Sequence, residues 1–189
     1  YSSDDFENFK KNTIIYGHNM NNKTNIVLIG MPSCGKSVTG VVLAKILNKK
    51  FVDGDLLIQE RAGKGLQAII NEDGIEAFKK LEEEVLGSID VTNAVIATGG
   101  SAVYYDSAMQ HLKKDGIILY IDVPIEDIKK RLRNIKTRGV AMGKGQTLDD
   151  LYALRKPLYE KYAELTVKSS NKQSMEDTVE DILNKLLSK

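Results

Sequence analysis

The chain has 189 residues, 27 Lys and Arg against 26 Asp and Glu, and one cysteine, Cys34. So balanced a charge creates no field to draw nucleic acid or an acidic membrane, and no apolar run nears the length of a transmembrane helix. A lone cysteine excludes an internal disulfide and suits a reducing compartment, so a cytoplasmic protein without nucleic-acid or membrane partners is expected. Residues 1–24 are rich in Asn, Lys, Asp and Ser and lack an apolar h-region. They read as a polar N-terminal extension rather than a secretory signal, with Met20 as a candidate start. From Asn25 onward strand and helix signals alternate, as a parallel α/β sheet requires. Strands are predicted over 25–29, 50–53, 93–98, 116–122 and 165–167. After the first strand Val38, Val41, Val42, Ile46 and Leu47 fall at helical spacing, and further helical patterns occupy 55–90, 105–114, 125–135 and 147–163. Ser174 is a good N-cap for a last helix carrying Met175, Val179, Ile182, Leu183, Leu186 and Leu187 on one stripe. No repeat or linker divides residues 25–189, which read as one domain.

Gly30-Met31-Pro32-Ser33-Cys34-Gly35-Lys36-Ser37 matches the phosphate-loop pattern G-x-x-x-x-G-K-[ST] in full. A buried strand precedes it and a helix follows, so backbone amides and a helix dipole converge on one point that favours a polyphosphate. Gly30 and Gly35 permit dihedrals and close approaches that a Cβ would obstruct. Lys36 supplies charge to the phosphates, and Ser37 supplies a hydroxyl for Mg²⁺. The predicted nucleotide-binding set runs from Gly30 through Met31, Pro32, Ser33, Cys34, Gly35, Lys36 and Ser37 to Val38. Cys34 sits where oxidation would block the nucleotide, although a small side chain is all this loop position needs.

Open α/β sheets bind ligands at the carboxyl ends of their strands. There, Asp53 and Asp55 flank Gly54; if the segment stays extended both carboxylates share one side, suited to a metal and an acceptor hydroxyl. Gly99-Gly100 after the third strand lets a ligand touch bare backbone. The stretch 136–147 holds Arg138, Gly139, Gly143, Lys144 and Gly145 without apolar periodicity, which suits a mobile lid closing over phosphates. Asp122, at the end of a hydrophobic strand, competes with Asp53 as the metal-linked carboxylate.

Taken in order, Gly30 to Ser37, Phe51-Val52-Asp53-Gly54-Asp55, Phe78 to Glu82, Gly99-Gly100, Arg138 and Arg155-Lys156-Pro157-Leu158-Tyr159 resemble the shikimate kinase family. The likeness runs from about Asn25 to the C-terminus, and its F-x-D-x-D and R-x-P-x-Y segments are more specific than the phosphate loop. The resemblance implies a three-layer α/β/α P-loop NTPase fold of the nucleoside-monophosphate-kinase type, with a five-stranded parallel sheet, a mobile lid and a substrate-binding helical region. It implies phosphoryl transfer from ATP to a ring hydroxyl of a small polyhydroxy acid, shikimate first, with Mg²⁺ as cofactor and the chain a monomer. By the same resemblance Lys36, Asp55 and Arg138 are catalytic, and Asp55, Lys79, Gly99, Gly100 and Arg155 hold the acceptor. Ser37 and, through water, Asp53 hold the metal, and Arg131 lies near the adenine.

Three positions depart from the family pattern. Lys79 stands where arginine is usual, which keeps the charge and loses the two-pronged fork. Ser101 replaces a third glycine, and Gly139-Val140 replaces a proline and leucine in the lid. All three touch the acceptor side, so ATP use is firmer than shikimate, and another sugar acid or polyol is the alternative acceptor. A GTPase-type switch is disfavoured. Ser174 lacks the carboxylate of the N-K-x-D motif, and no D-x-x-G occurs. A non-catalytic nucleotide-binding protein is the remaining alternative.

Overall fold

The computed structural model describes residues 23–133, 140, 142 and 145–188. Its strands are β1 (Asn25–Ile29), β2 (Lys50–Asp53), β3 (Ala94–Ala97), β4 (Gly116–Asp122) and β5 (Leu165–Lys168). They pair in the order β2-β3-β1-β4-β5, every pair parallel. The central strand β1 is buried along its whole length, as its unbroken apolar run requires in a sheet covered on both faces. The connection from β1 runs outward to β2, while β3 returns beside β1 and β4 takes the other flank. That reversal opens a crevice at the carboxyl ends of β1, β2 and β3.

The first helix, α1 (Lys36–Ile46), starts directly at the phosphate loop. Its inner face is not the valine stripe: Val38 and Val41 are exposed, while Thr39, Gly40, Leu43 and Ala44 are buried. The cause is proximity. A Cβ on Gly40 would lie 2.6 Å from the Phe51 ring and 3.3 Å from Leu28, so the face turned to the sheet must be small.

The helical pattern predicted over 55–90 is three helices: α2 (Gly54–Ala62), α3 (Leu66–Glu72) and α4 (Ile75–Gly87). They break at Gly63, in the left-handed region at φ 68°, and at Gly74, φ 90°, conformations that end helices. These helices share a small core of Ile58, Ile69, Phe78 and Val85, separate from the main one. A 3₁₀ turn (Ala102–Tyr104), α5 (Asp106–Asp115) and α6 (Ile125–Arg133) follow. The helix α7 (Leu148–Tyr162) opens on a capping box, Thr147 with Asp150, and buries Leu151, Arg155, Tyr159 and Tyr162 on one face. Ser174 caps α8 (Met175–Leu187) as predicted, with Asp177 completing the box. Val179, Ile182, Leu183 and Leu186 are buried, but Leu187, one residue past the stripe at the helix end, is exposed. No helix among the described residues is long and apolar enough to cross a membrane.

Candidate active site

The phosphate loop leaves β1 at Gly30, whose φ of 145° and surroundings both demand glycine: a Cβ would lie 2.8 Å from the Ile121 carbonyl and 2.9 Å from Cys34 Sγ. The loop curls so that the Lys36 ammonium donates to the carbonyl oxygens of Gly30 (2.8 Å) and Met31 (2.9 Å). Lys36 is buried. These carbonyls hold the ammonium over the mouth of the loop, and its charge is directed by main chain rather than by a carboxylate. Met31 and Cys34 are buried within the loop, and the Ser33 hydroxyl is buried without a hydrogen-bond partner among the described residues.

A cavity of about 480 Å³ opens above this loop. On one side stand the loop residues Pro32, Ser33, Gly35, Lys36 and Ser37; the rest of the lining includes Asp53, Asp55, Gly99, Gly100 and Arg155. Sequence-predicted residues from four separate segments thus converge on one space. Asp53 ends β2 and caps α2, its Oδ1 accepting the Asp55 amide hydrogen at 3.0 Å. Asp122 is not in this lining. It accepts a hydrogen bond from the Tyr120 hydroxyl at 2.9 Å, and its charge raises the pKa of Lys156. Of the two competing carboxylates, Asp53 lines the cavity with Ser37 and Asp122 does not.

Arg155 is almost wholly buried, an unusual cost for a guanidinium. Its Nε donates to the Tyr104 hydroxyl at 3.3 Å, and the Tyr104 ring lies 5.3 Å from its charge centre. Nη1 reaches to 3.0 Å from where a Cβ of Gly100 would stand, and Pro32 presses on the same point from the donor side. Gly100 is therefore the thin wall between the phosphate loop and Arg155. Gly99 is equally constrained: Glu82 Oε1 and Asp55 Oδ1 both lie within 3.0 Å of its missing Cβ.

Lys79 does not reach the cavity lining. Its ammonium pairs with Glu76 at 2.9 Å, one turn back on α4, with the side chain 38% exposed. A carboxylate three residues away on the same helix offers a nearer partner than the cavity. Arg131 sits behind the loop, donating to Asn171 (2.8 Å) and to the carbonyls of Ser33 (3.3 Å) and Cys34 (3.1 Å). With Cys34, Gly35 and Val38 it lines a second, 210 Å³ cavity. Arg138, Gly139 and the glycines and lysine near it lie outside the described residues, apart from Gly145; Val140, beside them, lines the main cavity.

Sequence reasoning assigned no role to Glu82, Tyr104 or Tyr105. Glu82 carried a readable signal: it shares the apolar stripe of α4 with Phe78, Val85 and Leu86, where a carboxylate is out of place without a purpose. It is fully buried, its Oε2 accepting from Ser101 Oγ and from the Tyr105 hydroxyl (2.8 Å).

A phosphate loop facing an acid and a buried arginine across one small cavity defines a P-loop phosphotransferase with a small-molecule acceptor. Comparison with known proteins agrees in both sequence and shape. The family model described as shikimate kinase matches residues 32–187. A shikimate kinase of Haemophilus influenzae is 32% identical over 173 residues, covering 88% of this chain and 96% of the relative. The solved shikimate kinase of Acinetobacter baumannii, in complex with shikimate, superimposes with a TM-score of 0.79 at 30% identity, covering 91% and 97% of the two chains. That of Aquifex aeolicus gives 0.70 at 32% identity, covering 86% and 95%. The chain belongs to the shikimate kinase family. It is a small-molecule kinase that uses ATP.

Proposed function

We propose that this kinase phosphorylates shikimate, giving shikimate 3-phosphate. The observation that carries the reading is the single cavity in which Lys36 and Ser37 face Asp55 and Arg155. Loop amides and Lys36 hold the β- and γ-phosphates of ATP, turning from the loop carbonyls to the nucleotide when it arrives. Asp55 orients the attacking hydroxyl and takes up its proton. Arg155, with the amides of Gly99 and Gly100, holds the acceptor carboxylate. Arg131 and the second cavity receive the adenine. Arg138 arrives with the lid to offset charge on the transferring group. The work is positioning and electrostatics, as phosphoryl transfer requires.

Ser37 and Asp53 fit Mg²⁺: one hydroxyl and one carboxylate on the same wall leave places for phosphate oxygens and water, which this cation prefers. When bound, it neutralises phosphate charge. Residues 25–189 act as one domain, monomeric, in a reducing cytoplasmic setting. The outward Lys79 favours a second reading, in which another hydroxylated acid such as gluconate is the acceptor.

A coupled ADP-release assay over a panel of hydroxy acids tests the choice. Turnover is expected with shikimate; silence there beside robust turnover on another acid overturns it. Elution of the purified chain on a sizing column checks the monomer.

A further inference from the structure

We propose that Asn171 is a positioning residue of the nucleotide site: held by Asp127, it fixes the Arg131 guanidinium in the wall of the second cavity, in place for the base of ATP. The proposal deepens the reading above and rests on it for one point, that Arg131 and this cavity receive the adenine.

The guanidinium is held through two of its nitrogens. Nη1 donates to the phosphate-loop carbonyls of Ser33 (3.3 Å) and Cys34 (3.1 Å), and Nε donates to Asn171 Oδ1 at 2.8 Å. Bonds from two nitrogens of one rigid, planar group fix its plane as well as its position. A free arginine loses rotamer freedom when it meets a ligand; this one has already lost it.

Asn171 is itself anchored. It lies between β5 and α8, beyond the carboxyl end of an edge strand, where sheets of this kind bind ligands. Its amide donates to Asp127 Oδ2 at 2.9 Å. Around it the Ser169 amide donates to the Asp122 carbonyl (2.9 Å) and the Gln173 amide closes a turn onto the Ser170 carbonyl (3.1 Å). Asp127 and Arg131 stand four residues apart on α6 and share a face of that helix. Both reach Asn171, one at its backbone and the other at its side chain.

The cavity itself, about 210 Å³, is also lined by Val38, Ser169, Gln173, Ser174, Met175 and Thr178. No acidic residue is in that lining, among the described residues. The Ser169 and Thr178 hydroxyls bond each other at 2.9 Å, and the Ser174 hydroxyl caps α8. With those groups occupied, the planar guanidinium is the contact that suits the face of a base. Asn171-Lys172-Gln173-Ser174, which lacks the carboxylate of a guanine-reading motif, thus serves the base cavity by another route.

The test is calorimetric binding of ADP and of tripolyphosphate, which has no base, to the wild-type chain, Asn171→Leu, Asn171→Asp, Arg131→Leu and the Asn171→Leu/Arg131→Leu double variant. Asn171→Leu keeps the backbone bond to Asp127 and removes only the oxygen that Arg131 uses. It is expected to weaken ADP by about three- to tenfold and to leave tripolyphosphate within about twofold. Asn171→Asp keeps an oxygen for Nε and is expected to bind ADP within about twofold of wild type. The double variant should bind ADP no more weakly than Arg131→Leu, because Asn171 acts through Arg131. Normal ADP affinity in Asn171→Leu beside a loss in Arg131→Leu overturns the proposal and spares the adenine reading. Normal affinity in both overturns the two together. Equal losses of ADP and tripolyphosphate in Asn171→Leu would mean that the residue props the phosphate loop, and no recovery in Asn171→Asp would mean a structural role; either result overturns the proposal. Neither probe needs an acceptor, so the outcome stands whether or not shikimate turns over.

Discussion

Tyr159 donates its phenolic hydrogen to the carbonyl oxygen of Gly100 across 2.6 Å, pinning the glycine wall between the phosphate loop and Arg155 from inside the core. Arg155, one turn earlier on α7, touches the same glycine, so one helix face sets both the wall and the cation beside it. The R-x-P-x-Y segment is thus a single positioning unit.

Tyr159→Phe should keep the ring stacked on Tyr120, 5.1 Å away, and delete the hydroxyl with its hydrogen bonds to the Gly100 carbonyl and to Met31 Sδ. A buried carbonyl left without this donor costs about 1–3 kcal/mol. Urea unfolding should register that loss, and acceptor KM should rise more than ATP KM. Equal rises in both would mean that Tyr159 supports the fold without setting Gly100.

Replacing Lys36 by Ala removes the ammonium that the carbonyls of Gly30 and Met31 hold at the edge of the cavity. Turnover should fall by about a hundredfold or more, the scale of losing one preorganised electrostatic contact to developing charge. Thermal stability should change little by comparison. Steady-state kinetics beside a melting curve checks both, and near-normal kcat would remove Lys36 from phosphoryl transfer.

Lys79 gives a prediction in two directions. Turned toward Glu76, it contributes little to the acceptor, so Lys79→Ala should raise acceptor KM less than tenfold. Lys79→Arg restores a planar fork with longer reach; one charge-assisted bond of about 1.5–3 kcal/mol would lower KM by about one order of magnitude or more. Glu76→Ala should free Lys79 and act in the same sense. If Lys79→Ala instead costs a hundredfold, the ammonium swings into the cavity on binding.

The strands were legible because β-branched runs covered on both faces, such as Asn25–Ile29 and Gly116–Asp122, admit few other readings. The phosphate loop was legible for a related reason: it presents backbone amides, so its pattern is local in sequence. The rest of the cavity lining was only partly so. Asp55, Gly99, Gly100 and Arg155 meet through tertiary packing, and they were found by likeness to a family rather than by spacing. Two details of the helices have physical causes that spacing alone does not carry. The apolar periodicity of α1 pointed to its valines, but close approach at Gly40 selected the small face. The helical pattern over 55–90 divides into three helices because Gly63 and Gly74 within it take the positive φ that ends a helix. Glu82 escaped because its partners, Ser101 and Tyr105, lie 19 and 23 residues away.

Gly99→Ala should be the most damaging single methyl in the pocket. The new Cβ would collide with Glu82 Oε1 and meet Asp55 Oδ1 at 3.0 Å. Overpacking of this kind costs about 1–3 kcal/mol, and relief requires moving one of the two carboxyls. Acceptor turnover should collapse while ATP affinity, measured by fluorescent-nucleotide displacement, stays within about threefold, since the loop is untouched. Loss of nucleotide binding instead would show that the wall at Gly99 also shapes the donor site.

Glu82 also couples folding to pH. In the unfolded chain its carboxyl titrates near the ordinary glutamate value, about 4.3; in the folded protein burial raises it. Below the ordinary value both states hold the proton, and the carboxyl's stabilising contribution is fully present. Between the two values the folded state keeps a proton that the unfolded state has released, so stability declines as pH rises. Above the folded value the contribution is lost. Glu82→Gln has no such proton to lose. Urea midpoints for wild type and Glu82→Gln, taken at intervals upward from about pH 4, should therefore shift steadily in favour of the variant as pH increases, other titrating groups cancelling in the difference. Parallel curves would mean that Glu82 ionises in the folded protein as readily as in the unfolded chain.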